Sequence, residues 1–360
     1  MIDSNHLERL HAIGLAPVMA QRYAAKQAAD PPRALLRVSE VQREGVTLHD
    51  GVSEHPARMR QALRQELLAA SDALAVGDWV LAERNAFAEW WVHERLPPAN
   101  QLARRLHDGR DKVERVVIVS NVDTAMLVMG LDGDFNLRRL ERYVALVRMA
   151  GVQPLVVLTK ADLCEDAPTR QQAAQALLPA GAEAVALNAL GAEPATRLAP
   201  WLGRGQTVVM LGSSGAGKST LTNALVGSGV QRIGAHREDD SRGRHTTTAR
   251  SMHLAAAGGC IIDTPGLRTL RLDGDAQALT QVFDDIAERA ALCHFRDCRH
   301  DNEPGCAVRG AVSDERLRNW NKLLREARRD TLTALERKAQ VAQWKARGRA
   351  ARIRLQAKRG

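Results

Sequence analysis

Gly212–Thr220 reads GSSGAGKST and follows the apolar run Thr207-Val208-Val209-Met210-Leu211. The pattern G-x-x-x-x-G-K-[ST], after a β-branched strand and before the helix-forming run Leu221–Val226, predicts a phosphate-binding loop. Gly212, Gly215 and Gly217 let the backbone curl, so that N–H groups along Ser213, Ser214 and Ala216 point at phosphate oxygens. Lys218 brings a charge to the β- and γ-phosphates, the Ser219 hydroxyl is a Mg²⁺ ligand, and Thr220 ends the motif. A plain glycine-rich strand-to-helix turn is the alternative, and the complete motif with these flanks argues against it.

Downstream, the apolar run Cys260-Ile261-Ile262 leads into Asp263-Thr264-Pro265-Gly266. An aspartate ending a buried strand beside a phosphate loop can hold Mg²⁺ through water, and the Gly266 N–H can sense a γ-phosphate. Asp-x-x-Gly alone is weak, but its place 44 residues after Ser219 strengthens it. Between the two lies Gly243-Arg244-His245-Thr246-Thr247-Thr248, a polar segment in which a threonine can reach Mg²⁺ as the loop closes. Thr246 and Thr247 are the candidates, and a solvated loop is the plainer alternative. Leu267 stands where many GTPases place a water-orienting glutamine. Either turnover is slow or another group orients the water, and His245 is the candidate because imidazole bonds water at neutral pH.

Upstream, Thr159-Lys160-Ala161-Asp162 ends the apolar run Pro154–Leu158. The Asp162 carboxylate can accept both N–H donors on one edge of guanine, an edge adenine lacks, while the Lys160 stem lies along the base. Read alone, the four residues are also a helix N-terminus capped by Thr159. This base-reading segment precedes the phosphate loop, whereas ordinary GTPases place it after Asp-x-x-Gly. The parts are cyclically permuted, so an element attached C-terminal to Gly266 is placed to feel the nucleotide state.

The element attached there carries Cys293, Cys298, His300 and Cys306, with spacing C-x₄-C-x-H-x₅-C. Three thiolates and one imidazole suit a closed, structural tetrahedral Zn²⁺ site, with Pro304-Gly305 supplying a turn. His294 is a less well placed substitute ligand, and unrelated buried cysteines are the alternative. The remaining two of the five cysteines, Cys164 and Cys260, read as core or near-core residues. Cysteines used in this way point to a reducing compartment, hence cytoplasm.

The 360-residue chain allows two or three domains, and 45% hydrophobic with 26% charged residues is the balance of a soluble globular protein. A net charge of +9 favours a polyanionic partner, nucleic acid or a membrane surface. No run approaches the roughly 18 apolar residues of a membrane span. The opening MIDSNHLERLHAIG does not read as a signal peptide. Basic residues crowd 341–360 without an acidic one, a composition that neutralises phosphates or simply forms a solvated basic helix.

Residues 1–31 read as an N-terminal extension ending at Asp30-Pro31-Pro32. Short runs at Leu35–Val41, Val46–Leu48, Asp78–Ala82 and Trp90–Glu94 predict a small β-barrel, although 57–70 fits a helix as well (Met59, Leu63, Leu67). Such a barrel is a second nucleic-acid surface if it is an OB-fold, with Trp79, Trp90 and Trp91 either in its core or on that surface. From Val113, strands Val116–Ser120, Ala125–Met129 and Pro154–Thr159 with a helix at Leu137–Met149 predict α/β alternation. From Ala276 the pattern turns helical.

Taken together, TKAD, GSSGAGKST, GRHTTT, DTPG, the Cys-Cys-His-Cys cluster and GLDGDFNLRRLERY (Gly130–Tyr143) resemble the bacterial ribosome small-subunit-dependent GTPase A family. The resemblance covers the chain from about Arg33 and implies, after the 1–31 extension, which has no counterpart in it, a multi-domain chain: an OB-fold RNA-binding β-barrel at 32–107, a central α/β circularly permuted P-loop GTPase domain at 108–273, and a mainly helical zinc-binding domain with a basic tail at 274–360. It further implies GTP hydrolysis stimulated by the small ribosomal subunit, rRNA binding, and a role in late maturation of that subunit. The family's switch histidine and threonines map to His245, Thr246 and Thr247, and its zinc ligands to Cys293, Cys298, His300 and Cys306. Two positions depart from the pattern. Thr159 replaces the usual asparagine, and the Ser-Ala guanine loop is present only as Asn188-Ala189. GTP, GDP, Mg²⁺ and one Zn²⁺ are the expected ligands, no membrane is involved, and a monomer is expected.

Overall fold

The computed structural model describes residues 4–27, 33–42, 45–107, 113–226, 250–264, 279 and 283–331. The chain divides into two compact units, one of residues 1–104 and 115–271, the other of 105–114 and 272–360.

The first unit begins with helices α1 (Ser4–Ala12) and α2 (Pro17–Gln27). The stretch that reads from sequence as an unspecified extension is therefore largely folded. Leu10 of α1 and Met19 and Tyr23 of α2, the last two four residues apart, are buried, and Ile13 and Leu15 in the turn between the helices are buried with them. The Tyr23 hydroxyl donates to the Arg33 carbonyl at 3.1 Å, fixing the second helix to the start of the barrel.

That barrel comprises β1 (Ala34–Val41), β2 (Val46–His49), β3 (Glu54–Met59), helix α3 (Gln61–Ala69), β4 (Trp79–Arg84) and β5 (Trp90–Arg95). The strands lie in the order β1-β2-β3-β5-β4, and β1 pairs β4 to close the ring. Only β3 and β5 run parallel. This is a five-stranded OB-type barrel, filled by Leu36, Val38, Leu48, Leu63, Val80 and Val92. Four strands coincide with the apolar runs, but β3 buries only Ala57 and contains Pro56, so it shows no alternation in sequence. The helix-like stretch 57–70 is divided: Met59 ends β3, whereas Leu63 and Leu67 are the buried face of α3.

Strands β6 (Gln101–His107) and β7 (Val113–Ser120) form a two-stranded sheet of their own. The run Val116–Ser120 thus makes a strand as expected but does not join the α/β sheet. Arg115 in β7 is bound instead by Gln101 of β6 and by Asp72, a polar setting that a sheet covered on both faces does not offer.

The α/β region runs β8 (Thr124–Gly130), α4 (Leu137–Met149), β9 (Gln153–Thr159), α5 (Ala167–Gln175), β10 (Glu183–Ala186), α6 (Glu193–Leu198), β11 (Thr207–Leu211), α7 (Lys218–Val226), β12 (Ser251–Leu254) and β13 (Cys260–Asp263). Spatial order is β10-β9-β8-β11-β13-β12, with every neighbouring pair parallel except β12–β13. Continuous apolar runs suit this burial on both faces, and Met126, Leu155, Val208, Met210, Leu221 and Ile261 share one core cluster. The Asn136 side chain caps α4 by accepting from the Arg139 N–H at 3.0 Å.

Barrel and α/β sheet are continuous. The first half of β1 pairs β4, its register with β2 shifts between Val38 and Glu40, and Glu40 then lies opposite Ser251 of β12. Such an irregularity bends a strand and lets it serve two partners. Arg37, fully buried, lies at this junction. Its guanidinium donates to the carbonyls of Ile13, Gly77 and Asn121 and to Thr207 Oγ1, and it sits 5.3 Å from the Trp79 ring centre.

In the second unit, α8 (Asp284–Ala290) and α9 (Asp314–Thr331) flank the cysteine loop. Arg316 donates to both Asp285 oxygens at 2.7 and 2.9 Å and stacks over Phe283 at 5.0 Å. Ile286, Leu317, Trp320 and Leu323 are buried.

Candidate nucleotide and metal sites

Because β8, β9, β11 and β13 are parallel, their C-terminal ends lie along one edge of the sheet. Register places Gly130 beside Thr159, Leu127 beside Leu211, and Met210 beside Asp263. Chain order reverses around β11, and an open α/β sheet holds its ligands at such a switch point.

The phosphate loop joins β11 to α7. A Cβ on Gly212 would lie 2.3 Å from the Val128 carbonyl oxygen, so only glycine lets the loop leave the sheet this close to β8. Lys218, the first residue of α7, is 7% exposed, and its ammonium donates to the carbonyls of Gly212 (3.1 Å) and Ser213 (2.8 Å). Burial lowers its pKa, while Asp263 and Asp134 oppose the shift. Ser214, Ser219 and Thr220 are exposed at the mouth, and Ala216 is buried beneath it. Asp263, half-buried at the end of β13, has its pKa raised by burial and pulled back by Lys218. Its neighbour Thr264 is anchored through Oγ1 to the Met210 carbonyl at 2.6 Å.

The Thr159–Asp162 segment is tied directly to this loop. Thr159, wholly buried, donates from Oγ1 to the Ala216 carbonyl at 2.7 Å. Lys160 adopts a left-handed backbone (φ 60°), and its Nζ donates to Asp132 Oδ2 at 2.6 Å and to the Gly215 carbonyl at 3.1 Å. Asp162 lies exposed in the single turn Ala161–Leu163. That turn adjoins the Asn188-Ala189 loop, since the Ala161 N–H donates to the Leu187 carbonyl. Asn188 Oδ1 accepts from the Leu190 N–H at 2.9 Å, and Ala189 is buried. His245, Thr246, Thr247 and Gly266 lie outside the described residues, as do Leu267 and the basic run 341–360.

Two carboxylates not singled out from sequence face the same loop. Asp132 holds Lys160, and Asp134 Oδ2 accepts from Ser213 Oγ at 2.7 Å while Arg139 pairs with Asp134 at 2.6 Å. Both lie in the GLDGDFN stretch directly after β8. Two acidic residues following a buried strand next to the phosphate-loop strand were the available signal.

In the second unit, the donor atoms of Cys293, Cys298, His300 and Cys306 all lie within 4.8 Å of one another. Cys293 Sγ is 4.0 Å from Cys306 Sγ and 3.6 Å from His300 Nδ1, and Cys306 Sγ is 3.4 Å from that nitrogen. Tetrahedral bonds of about 2.3 Å to sulfur and about 2.0 Å to nitrogen give edges of about 3.5–3.8 Å, so the four donors could hold a metal ion. His294 stacks edge-on with Phe295 and lies outside the four-donor group. The Ala307 N–H donates to Cys293 Sγ at 3.4 Å, and the buried His300 ring lies 5.6 Å from Trp320, contacts that orient two of the four donors.

Residues 95–273 match the family model described as RsgA GTPase. A Mesorhizobium japonicum protein called small ribosomal subunit biogenesis GTPase RsgA is 47% identical over 265 residues, covering 71% of this chain and 75% of that protein. A protein of the same name from Xanthomonas axonopodis pv. citri is 40% identical over 326 residues, 88% of each chain. The crystal structure of YjeQ from Thermotoga maritima superposes with a TM-score of 0.60 at 23% identity, covering 82% of this chain and 99% of that one. YloQ, described as a circularly permuted GTPase, gives a TM-score of 0.58 at 24% identity, over 85% of this chain and 98% of its own.

Proposed function

The chain belongs to the RsgA GTPase family and is a GTP hydrolase; from that premise we propose that the small ribosomal subunit stimulates its turnover and that it serves late maturation of that subunit. The observation that carries the reading is the junction of the two motifs: Thr159 bonded to Ala216 and Lys160 bonded to Gly215 hold the TKAD turn against the phosphate loop, which supports a guanine-nucleotide pocket spanning both.

In this pocket the phosphate-loop N–H groups and Lys218 hold the β- and γ-phosphates, and Asp162 reads the guanine edge with the Asn188-Ala189 loop beside it. Lys218 exchanges its carbonyl partners for phosphate oxygens and stabilises charge developing on the transferring group. Ser219 and Asp263, with a threonine of Thr246–Thr248, would supply hard oxygen donors for Mg²⁺, which would neutralise phosphate charge. Water attacks the γ-phosphorus, the β–γ bridging bond breaks, and GDP and phosphate result. His245 orients that water, because Leu267 has no polar group.

Cys293, Cys298, His300 and Cys306 would hold a structural Zn²⁺, for which three thiolates and one imidazole are suitable donors, and the ion would tie the 293–306 loop together. The barrel grips rRNA. Supporting this, half-buried Trp90 and Trp91 carry the guanidinium groups of Arg84 and Arg60 at 4.9 and 6.0 Å, a pairing of stacking surface and positive charge. The basic tail adds salt-sensitive phosphate contacts. The domains are 1–31, 32–107, 108–273 and 274–360, and the protein acts as a cytoplasmic monomer. Among the described residues no helix is long and apolar enough to cross a membrane.

The test is GTP turnover by the protein alone, with purified small subunits, and with large subunits. Stimulation by small subunits only is expected. Equal turnover in all three mixtures would replace this reading with that of a passive nucleotide-dependent RNA-binding switch, which Leu267 favours.

A further inference from the structure

We propose that Asp132 is a positioning residue for the nucleotide, acting through Lys160 to couple the base-binding turn to the phosphate loop. The proposal rests on the pocket being a guanine-nucleotide site. Lys160 spans the gap between the two halves of that pocket, and its ammonium has one anchor on each side: Asp132 Oδ2 at 2.6 Å and the Gly215 carbonyl at 3.1 Å. Its backbone is left-handed, a conformation costly for a lysine and one that turns the side chain back toward the loop. An anchored ammonium leaves the methylene stem extended, ready to lie along a purine without first losing rotamer freedom.

Asp132 is itself held in place. Its Oδ1 accepts from the Asp134 N–H at 3.0 Å, and its carbonyl accepts from Phe135 at 3.2 Å. A Cβ on Gly130 would come within 2.7 Å of that Oδ1, so glycine there leaves room for the carboxylate in this position. Lys160 and these bonds hold the carboxyl below the usual carboxylate range, and it is ionised at neutral pH. Asp134 continues the device by binding Ser213 of the loop while pairing with Arg139 of α4. A bound purine covers the part-exposed Asp132–Lys160 pair, and removing water strengthens the pair.

The experiment measures the GDP dissociation constant by calorimetry for the full chain and for Asp132→Ala, Asp132→Asn, Lys160→Ala, the Asp132→Ala/Lys160→Ala double variant and Lys218→Ala. Asp132→Ala is expected to weaken GDP about fivefold, the upper range for a part-exposed ion pair. The double variant should bind no more weakly than Lys160→Ala alone, and Asp132→Asn, which keeps an acceptor oxygen, should recover most of the loss. Wild-type affinity in Asp132→Ala, or losses that multiply in the double variant, would overturn the coupling. If Lys218→Ala also bound GDP normally, the pocket assignment itself would fall. If it weakened GDP while Asp132→Ala did not, only the role of Asp132 would.

Discussion

Replacing Arg37 with methionine keeps much of the volume and removes the charge and every donor. In the wild-type protein the guanidinium is fully buried and satisfies three backbone carbonyls and Thr207 Oγ1, one of them from the N-terminal helical region and one from the phosphate-loop strand. Burial lowers its pKa, with Cys260, Asp123 and Asp78 opposing that shift. Each hydrogen bond from a charged donor is worth about 1.5–3 kcal/mol, but the four are not additive, and removing the cation recovers its desolvation cost. Loss of one member of a buried charged network costs about 3–5 kcal/mol, and that is the expected destabilisation. For a cooperative unit of this size it lowers the melting temperature by about 6–20 °C. Thermal unfolding followed by tryptophan fluorescence suits the test, since Trp79 lies 5.3 Å from the guanidinium. A variant melting within about 2 °C of wild type would mean that the bonds around Arg37 do not hold barrel, helices and sheet together.

Cys298→Ser should lower bound metal below one equivalent and loosen 293–306; metal analysis of the purified variant checks this, and a full equivalent would remove Cys298 from the ligand set. Asp162→Ala should lose the preference for GTP over ATP by about a hundredfold, measured by competition against labelled GDP, because the two guanine donors lose their acceptor. Asp78 is buried, and desolvation raises its pKa to about 6 despite nearby Arg95. The folded protein therefore holds this proton where the unfolded chain has lost it. Stability from this group is complete below about pH 4 and falls as pH rises to about 6, by about 3 kcal/mol. Denaturation midpoints across that range should flatten in Asp78→Asn, and an unchanged slope would assign the pH dependence elsewhere.

The phosphate loop and the cysteine cluster were legible because each is local: a loop of fixed spacing needs no knowledge of the rest of the chain. Permutation was legible for the same reason, from motif order alone. The partners of these motifs were not. Thr159 looked like a lost amide near the base, yet its hydroxyl bonds the carbonyl of Ala216, 57 residues away, a contact that only parallel strand register creates. Asp132 and Asp134 belong to a recognisable stretch, but nothing local says that they face the loop after β11. Arg37 sits in a strand where a charged residue ordinarily marks the solvent side. Its face is covered by the turn between α1 and α2 at Ile13, by Gly77, by Asn121 and by Thr207 at the start of β11, contacts that lie far away in sequence. The strand β3 gives no alternating signal because Pro56 and four other residues that are not buried surround its one buried residue, Ala57.

The pairing of Glu40 with Ser251 has a mechanical meaning. Strand β12 is the first element after residues 227–249, the stretch that contains His245 and its threonines, and it is laced on one side to β13 and on the other to the barrel. Barrel and GTPase sheet cannot slide along this seam without breaking ladder bonds. A displacement of the barrel against the sheet therefore strains the Glu40–Ser251 pair, and Ser251 in turn lies opposite Asp263 at the end of β13. One residue pair thus joins the edge of the barrel to the strand that flanks Asp263.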